Sequence, residues 1–182
     1  MARQRILITG SNGLLGQKLI TALRDDDGTD LIATSRGEDR STDPLGDRYR
    51  SLDITDKAAV QAVFYEVRPE VVIHTAAMTN VDACELDPGA CHLQNVEATR
   101  FLVDAARELD SHFIFLSTDF IFDGEAGPYR EEDVPAPLSV YGRSKLAGER
   151  LVQESGLPRW AIARTIIVYG TAPGLSRSNV VL

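Results

Sequence analysis

Cysteine is scarce in this chain: there are two among 182 residues, Cys84 and Cys91. They form no Cys-x-x-Cys pair, and two thiols are too few to staple a small secreted scaffold, so reduced thiols in a cytoplasmic protein are the expectation. Histidine is scarce as well. His74, His92 and His112 form no ligand cluster in sequence, and no metal site is expected. Long apolar runs are missing. None approaches the roughly 20 residues that a membrane-spanning helix needs, and the short run at 6–8 lacks the length and cleavage site of a signal peptide. Positive charge is the minority sign, with 19 Lys and Arg against 27 Asp and Glu and a net charge of -8. A nucleic-acid binder needs a basic face to meet phosphates, so that class is excluded. A locally positive pocket for a small anionic ligand is not.

What is present is a globular composition, 43% hydrophobic and 25% charged, in a chain long enough for one domain with a real core. Short apolar runs alternate with helical patterns. Strands are expected at 5–9, 31–34, 49–52, 70–74, 112–117 and 160–166. Helices are expected at 13–24, 56–67 and 88–109, and from a cap at Ser139 through Glu154 with Gly156 just past its end. Such alternation predicts an α/β fold, a Rossmann-type doubly wound parallel sheet covered on both faces. Residues 1–182 read as a single NAD(P)-binding domain. The apolar stretch opening at 179–182 reads as an interruption rather than a natural end.

Between the first strand and the first helix lies Gly10-Ser11-Asn12-Gly13-Leu14-Leu15-Gly16. Glycines there permit a tight turn and let backbone N–H groups approach a pyrophosphate at the helix N-terminus. About 20 residues on, where an NAD enzyme usually offers a carboxylate to the ribose hydroxyl, stands Thr34-Ser35-Arg36. Ser35 and Arg36 suit a ribose phosphate, so NADP(H) is favoured over NAD(H). Asp53 is a candidate for the adenine edge, or else a cap for the helix that follows.

Tyr141 and Lys145 are four residues apart on the last predicted helix and share one face. A lysine ammonium favours the phenolate and is expected to lower the tyrosine pKa, making it a proton donor at neutral pH. Ser117-Thr118-Asp119 ends the preceding strand, where ligands of open α/β sheets bind.

The glycine turn, Asp53-Ile54-Thr55-Asp56, the segment from Ala76 to Asp82, Ser117-Thr118-Asp119, Tyr141-x-x-x-Lys145 and Arg164-Thr165 recur in an order that resembles the extended short-chain dehydrogenase/reductases. The stretch 117–149 is the most specific part, and it is most similar to the dTDP-4-dehydrorhamnose reductase family. The resemblance covers the chain but only the N-terminal portion of such an enzyme, without the smaller C-terminal substrate domain. It implies an NAD(P)H-dependent reductase of a nucleotide-linked 4-keto-6-deoxy sugar, with neither nucleic acid nor membrane as partner and a homodimer left open. Tyr141 would be the general acid. Lys145 would tune it and hold the nicotinamide ribose, and Thr118 would bind the substrate oxygen. Ile54, Ala76, Ala77 and Thr79 would border the cofactor, and Val81 and Phe120 the substrate. Asn95 would support the catalytic helix or a water chain. Phe120 stands where the family often has Tyr, and Ile167 where it often has Trp. Alternatives are a nucleotide-sugar epimerase or dehydratase, and a non-catalytic regulatory subunit such as the beta subunit of methionine adenosyltransferase. An intact Thr118, Tyr141 and Lys145 favours catalysis.

Overall fold

The computed structural model describes residues 3–175. Six strands form one sheet: β1 (Gln4–Thr9), β2 (Thr29–Ser35), β3 (Tyr49–Ser51), β4 (Val71–His74), β5 (His112–Thr118) and β6 (Trp160–Thr165). All pairings are parallel, in the order β3-β2-β1-β4-β5-β6. This is the Rossmann-type doubly wound sheet expected from the sequence. Side chains alternate across it. Leu7 of β1 packs with Val72, Phe113 and Phe115 in one core cluster, while Ile6 and Ile8 pack with Leu31 and Ala33 in another. Burial on both faces is why the strand reads as an unbroken apolar run.

Helix α1 (Leu14–Leu23) supplies Ile20 to the second cluster. Helices α2 (Lys57–Val67), α5 (Ala98–Glu108) and α6 (Val140–Gln153) cover the first, through residues such as Phe64, Leu102 and Val152. Chain direction reverses its march across the sheet between β1 and β4. The connections leaving those two strands diverge, and a crevice opens at the carboxyl ends of the sheet.

Three local expectations change. Asp56, expected inside the first turn of α2, is its N-cap, with its carboxylate accepting from the N–H groups of Ala58 and Ala59. The helix expected at 88–109 is three pieces: α4 (Pro88–His92), a π turn (Leu93–Glu97) and then α5. A short α3 (Val81–Leu86) precedes them, capped by Asn80. Six residues are too few to show a helical period, so composition did not reveal it. Ser139 does cap α6, its hydroxyl accepting from the Gly142 N–H at 3.0 Å, and Gly156 takes a positive φ of 74° beyond the helix end. Replacing Ser139 by Ala is expected to cost about 1 kcal/mol. Urea denaturation checks this, and an unchanged midpoint would mean that the cap contributes nothing. Among the described residues no helix is long and apolar enough to cross a membrane.

Candidate active site

The crevice is a cleft of about 740 Å³. Residues from the ends of β1, β2, β4, β5 and β6 and from α6 line it together. Of the residues singled out in the sequence, Gly10, Gly13, Leu14, Leu15, Gly16, Ser35, Arg36, Asp53, Ile54, Ala76, Ala77, Thr79, Val81, Thr118, Phe120, Tyr141 and Lys145 border this one space. Asn12 does not. Its amide donates to the Glu38 carbonyl at 2.9 Å and accepts from the Arg40 N–H at 3.0 Å, so it holds the loop after β2 against the glycine turn.

The glycines of the turn are required by contact. Gly10 has φ +77°, and a Cβ there would lie 2.6 Å from the Ala76 nitrogen. A Cβ on Gly16 would lie 2.3 Å from the Gly10 carbonyl oxygen. Gly13 is the N-cap of α1 and offers no side-chain oxygen to the helix, whose first turn holds no acidic residue. Its first N–H groups and the positive end of its dipole therefore remain for an anion.

At the far side of the pair β1–β2, Asp53 is not the α2 cap. Its Oδ1 accepts from the Thr55 hydroxyl at 2.7 Å and the Thr55 N–H at 2.9 Å. These bonds hold its carboxyl below the usual range, helped by Arg36. Arg36 Nη1 lies 4.0 Å from Asp53 Oδ2, with both side chains substantially exposed. Such a pair contributes little and leaves the guanidinium free to turn.

Across the cleft, Ser139 starts α6 and so sets the phase that brings Tyr141 and Lys145 to one side. Tyr141 is 9% exposed and packs with Cys84 and Cys91, and the Phe120 ring meets it edge-on at 5.9 Å. Burial pushes the phenol above its ordinary pKa, while the Thr118 hydroxyl beside it pulls the other way. Lys145 is 3% exposed, with Nζ 4.0 Å from the centre of the Phe115 ring, and burial brings its pKa down to about 7. The sequence expectation that Lys145 lowers the tyrosine pKa is thus not the dominant effect here. Desolvation of both groups keeps the phenol protonated and makes the ammonium a near-neutral titrating group. Among the described residues the buried Ser117 hydroxyl at the cleft has no hydrogen-bond partner. Free N–H groups at one end, and an ammonium and a hydroxyl at the other, fit a ligand carrying phosphates and ribose hydroxyls, as a nicotinamide dinucleotide does.

Beneath the site runs a buried polar chain that only partly showed in the sequence. Asn95, in the π turn, donates to Ser144 Oγ at 2.9 Å and to the Met78 carbonyl at 3.0 Å, and accepts from the Met78 N–H at 2.7 Å. One amide thus ties the loop after β4 to α6, and π turns often mark such functional bends. Thr99 donates its one hydroxyl proton to the Asn95 carbonyl, so it must accept from His74 Nε2 at 3.2 Å. His74 Nδ1 then accepts from the Thr9 hydroxyl at 2.7 Å. Burial lowers the His74 pKa to about 3, so this core histidine stays neutral. Thr165 and Ile167, singled out in the sequence, also line the cleft, whereas sequence reasoning passed over Thr75, Ile166 and Val168 as cleft residues. The run of apolar residues at 166–168 just past β6, exposed in the structure, was the available signal.

Comparison with known proteins gives the family. Residues 4–181 match the RmlD substrate binding domain. The chain is 41% identical over 169 residues to dTDP-4-dehydrorhamnose reductase of Streptomyces griseus, covering 92% of this chain and 51% of that protein. It is 34% identical over 179 residues to methionine adenosyltransferase 2 subunit beta of Bos taurus, covering 98% of this chain and 51% of that one. The crystal structure of dTDP-4-dehydrorhamnose reductase from Bacillus anthracis in complex with NADP superposes with a TM-score of 0.79 at 32% identity, over 93% of this chain and 56% of that one. The chain therefore spans about half the length of the curated relatives it matches, and across that span it belongs to the RmlD substrate-binding-domain family.

Proposed function

We propose that this chain is an NAD(P)-binding domain that takes NADP(H) in the cleft and serves the reduction of a nucleotide-linked 4-keto-6-deoxy sugar, in the manner for which its dTDP-4-dehydrorhamnose reductase relatives are named. The observation that carries the reading is one cleft holding the uncapped glycine turn together with Thr118, Tyr141 and Lys145. When bound, the reduced nicotinamide supplies a hydride. The residues of the chain do the rest. The first-turn N–H groups of α1 hold the pyrophosphate. Lys145 Nζ donates to ribose hydroxyls. Thr118 donates a hydrogen bond to the sugar carbonyl oxygen, and Tyr141 Oη passes its proton to that oxygen as negative charge develops there.

Ser35 and Arg36 favour the phosphorylated ribose. Arg36→Ala is expected to weaken NADPH binding about tenfold, the worth of one charge-assisted hydrogen bond, and to leave NADH binding nearly unchanged. Calorimetry measures both. Equal affinity of the unmodified chain for NADPH and NADH would remove the preference.

A regulatory role is the second reading, favoured by the likeness over almost the whole chain to methionine adenosyltransferase 2 subunit beta. The two separate by NADPH oxidation with dTDP-4-dehydrorhamnose, run on the 182-residue chain and on the same chain joined to the C-terminal half of the Streptomyces griseus relative. Turnover in either protein that depends on Tyr141 supports the reductase. Tight NADPH binding with no oxidation in both supports the regulatory role.

A further inference from the structure

Glu149 lies one helical turn beyond Lys145 on α6 and is 1% exposed. Its Oε1 accepts from Arg164 Nε at 3.0 Å and its Oε2 from Arg164 Nη2 at 2.8 Å, a bidentate grip from β6. The third guanidinium nitrogen donates to the Glu131 carbonyl at 2.8 Å, and the guanidinium sits 5.5 Å from the Phe122 ring. The carboxylate is therefore locked in orientation by a group outside its own helix. Close approach of α6 to the sheet brings the lysine over a core ring. A Cβ on Gly148 would lie 2.6 Å from Phe115 Cζ, so the helix rides directly on the ring over which Lys145 extends.

A buried ion pair is a poor way to gain stability, because desolvation offsets most of the attraction and apolar residues of like volume do as well. Its placement asks for another reason. We infer that Glu149, held by Arg164, is a positioning residue for Lys145: its fixed carboxylate, one turn away on the same helix, is the negative charge that favours the buried ammonium at the cleft. The inference rests on the proposed role of Lys145 in that cleft.

The titratable and charged groups around Lys145 are Tyr141 and Glu149 on α6, Cys84 on α3, Cys91 on α4, His74 on β4, Asp119 after β5 and Arg164 on β6. His74 is neutral, the thiols are buried, and burial works against the charge on Lys145; Glu149 is the largest influence in its favour. Removing the carboxylate therefore takes away the main influence that favours the ammonium, and it loses its proton at lower pH.

The chain has only three lysines, Lys18, Lys57 and Lys145, which makes a direct measurement practical. With ¹³C-labelled lysine, each side chain is followed by NMR across pH in the unmodified chain and in Glu149→Gln, with Lys145→Arg assigning the signal. The Lys145 midpoint is expected to fall by about one unit or more, with Lys18 and Lys57 unmoved. The double replacement Glu149→Gln with Arg164→Gln removes both charges, leaves no lone buried ion, and should also lower the midpoint. An unchanged Lys145 midpoint in whichever of these variants keeps the native amide spectrum overturns the inference. The NMR result does not depend on turnover. A shifted midpoint, with no NADPH oxidation by the chain either alone or joined to the C-terminal half of the relative, would uphold Glu149 and sink the reductase reading, and the reverse pair of results would do the opposite.

Discussion

Tyr141→Phe is expected to lower sugar reduction by about 10²–10⁴-fold, the usual worth of a positioned general acid, while leaving dinucleotide affinity nearly unchanged. The ring lies among Cys84, Cys91 and Phe120, and phenylalanine keeps those contacts. Only the proton is lost. No charge is lost with it, because burial raises the phenol pKa and the group is neutral at physiological pH. Lys145→Ala should behave differently, reducing turnover and cofactor affinity together. The pH profile separates the two. Lys145 titrates near 7, so the ammonium is present below that pH and lost above it, and turnover should decline through that window. In Lys145→Ala the decline should vanish into a low, flat profile. Thr118→Val should cost less than either change, since it removes one hydrogen bond and leaves the proton source. Measuring kcat and cofactor affinity for the three variants across pH tests the ordering. Activity near the unmodified level in Tyr141→Phe would exclude Tyr141 as the acid and favour the regulatory reading.

Gly10→Ala should strongly damage the fold. The position has φ +77°, which strains any residue with a Cβ, and the added carbon would sit 2.6 Å from the Ala76 nitrogen and 2.7 Å from its Cα. Both atoms are backbone of the loop after β4, so neither can swing aside as a flexible side chain would. Left-handed strain and overpacking together are expected to cost about 3 kcal/mol or more. For a chain of this size that corresponds to a Tm lower by about 6–12 °C. Because the connections leaving β1 and β4 diverge at this point, the relief of the clash should widen the cleft, and NADPH binding should fall with stability. Thermal unfolding and calorimetry on one preparation measure both. A Tm within a degree or so of the unmodified chain would mean that the turn yields more readily than its contacts indicate.

Much of this protein was legible in its sequence, for identifiable reasons. Strands buried on both faces leave unbroken apolar runs such as 6–8 and 113–116, and all six strands were located to within about two residues, so the fold class followed from their alternation with helices. The Ser139 cap and Gly156 bracketed α6 correctly because capping is local chemistry. A four-residue spacing on a helix carried Tyr141 and Lys145 to one side without any knowledge of what they face. Short elements were less legible. Helix α3 has too few residues for a period, and the π turn at Leu93–Glu97 differs from an α-helix by one inserted residue that leaves no compositional trace.

Residue types and spacing alone determined the doubly wound sheet, the glycine turn between β1 and α1, and the candidates for proton transfer and cofactor contact. Only the tertiary structure decided their environment. A lysine beside a tyrosine reads in sequence as a cation that lowers a phenol pKa, yet burial acts on both groups and moves each toward its neutral form. Asn12 reads as part of a phosphate cradle, yet its amide is spent on the Glu38 and Arg40 backbone. Glu149 has no assigned role in the sequence reading, yet it is enclosed and clamped by an arginine 15 positions away on the next strand. Desolvation and partners distant in sequence depend on how the layers pack, and no local pattern in the chain encodes them.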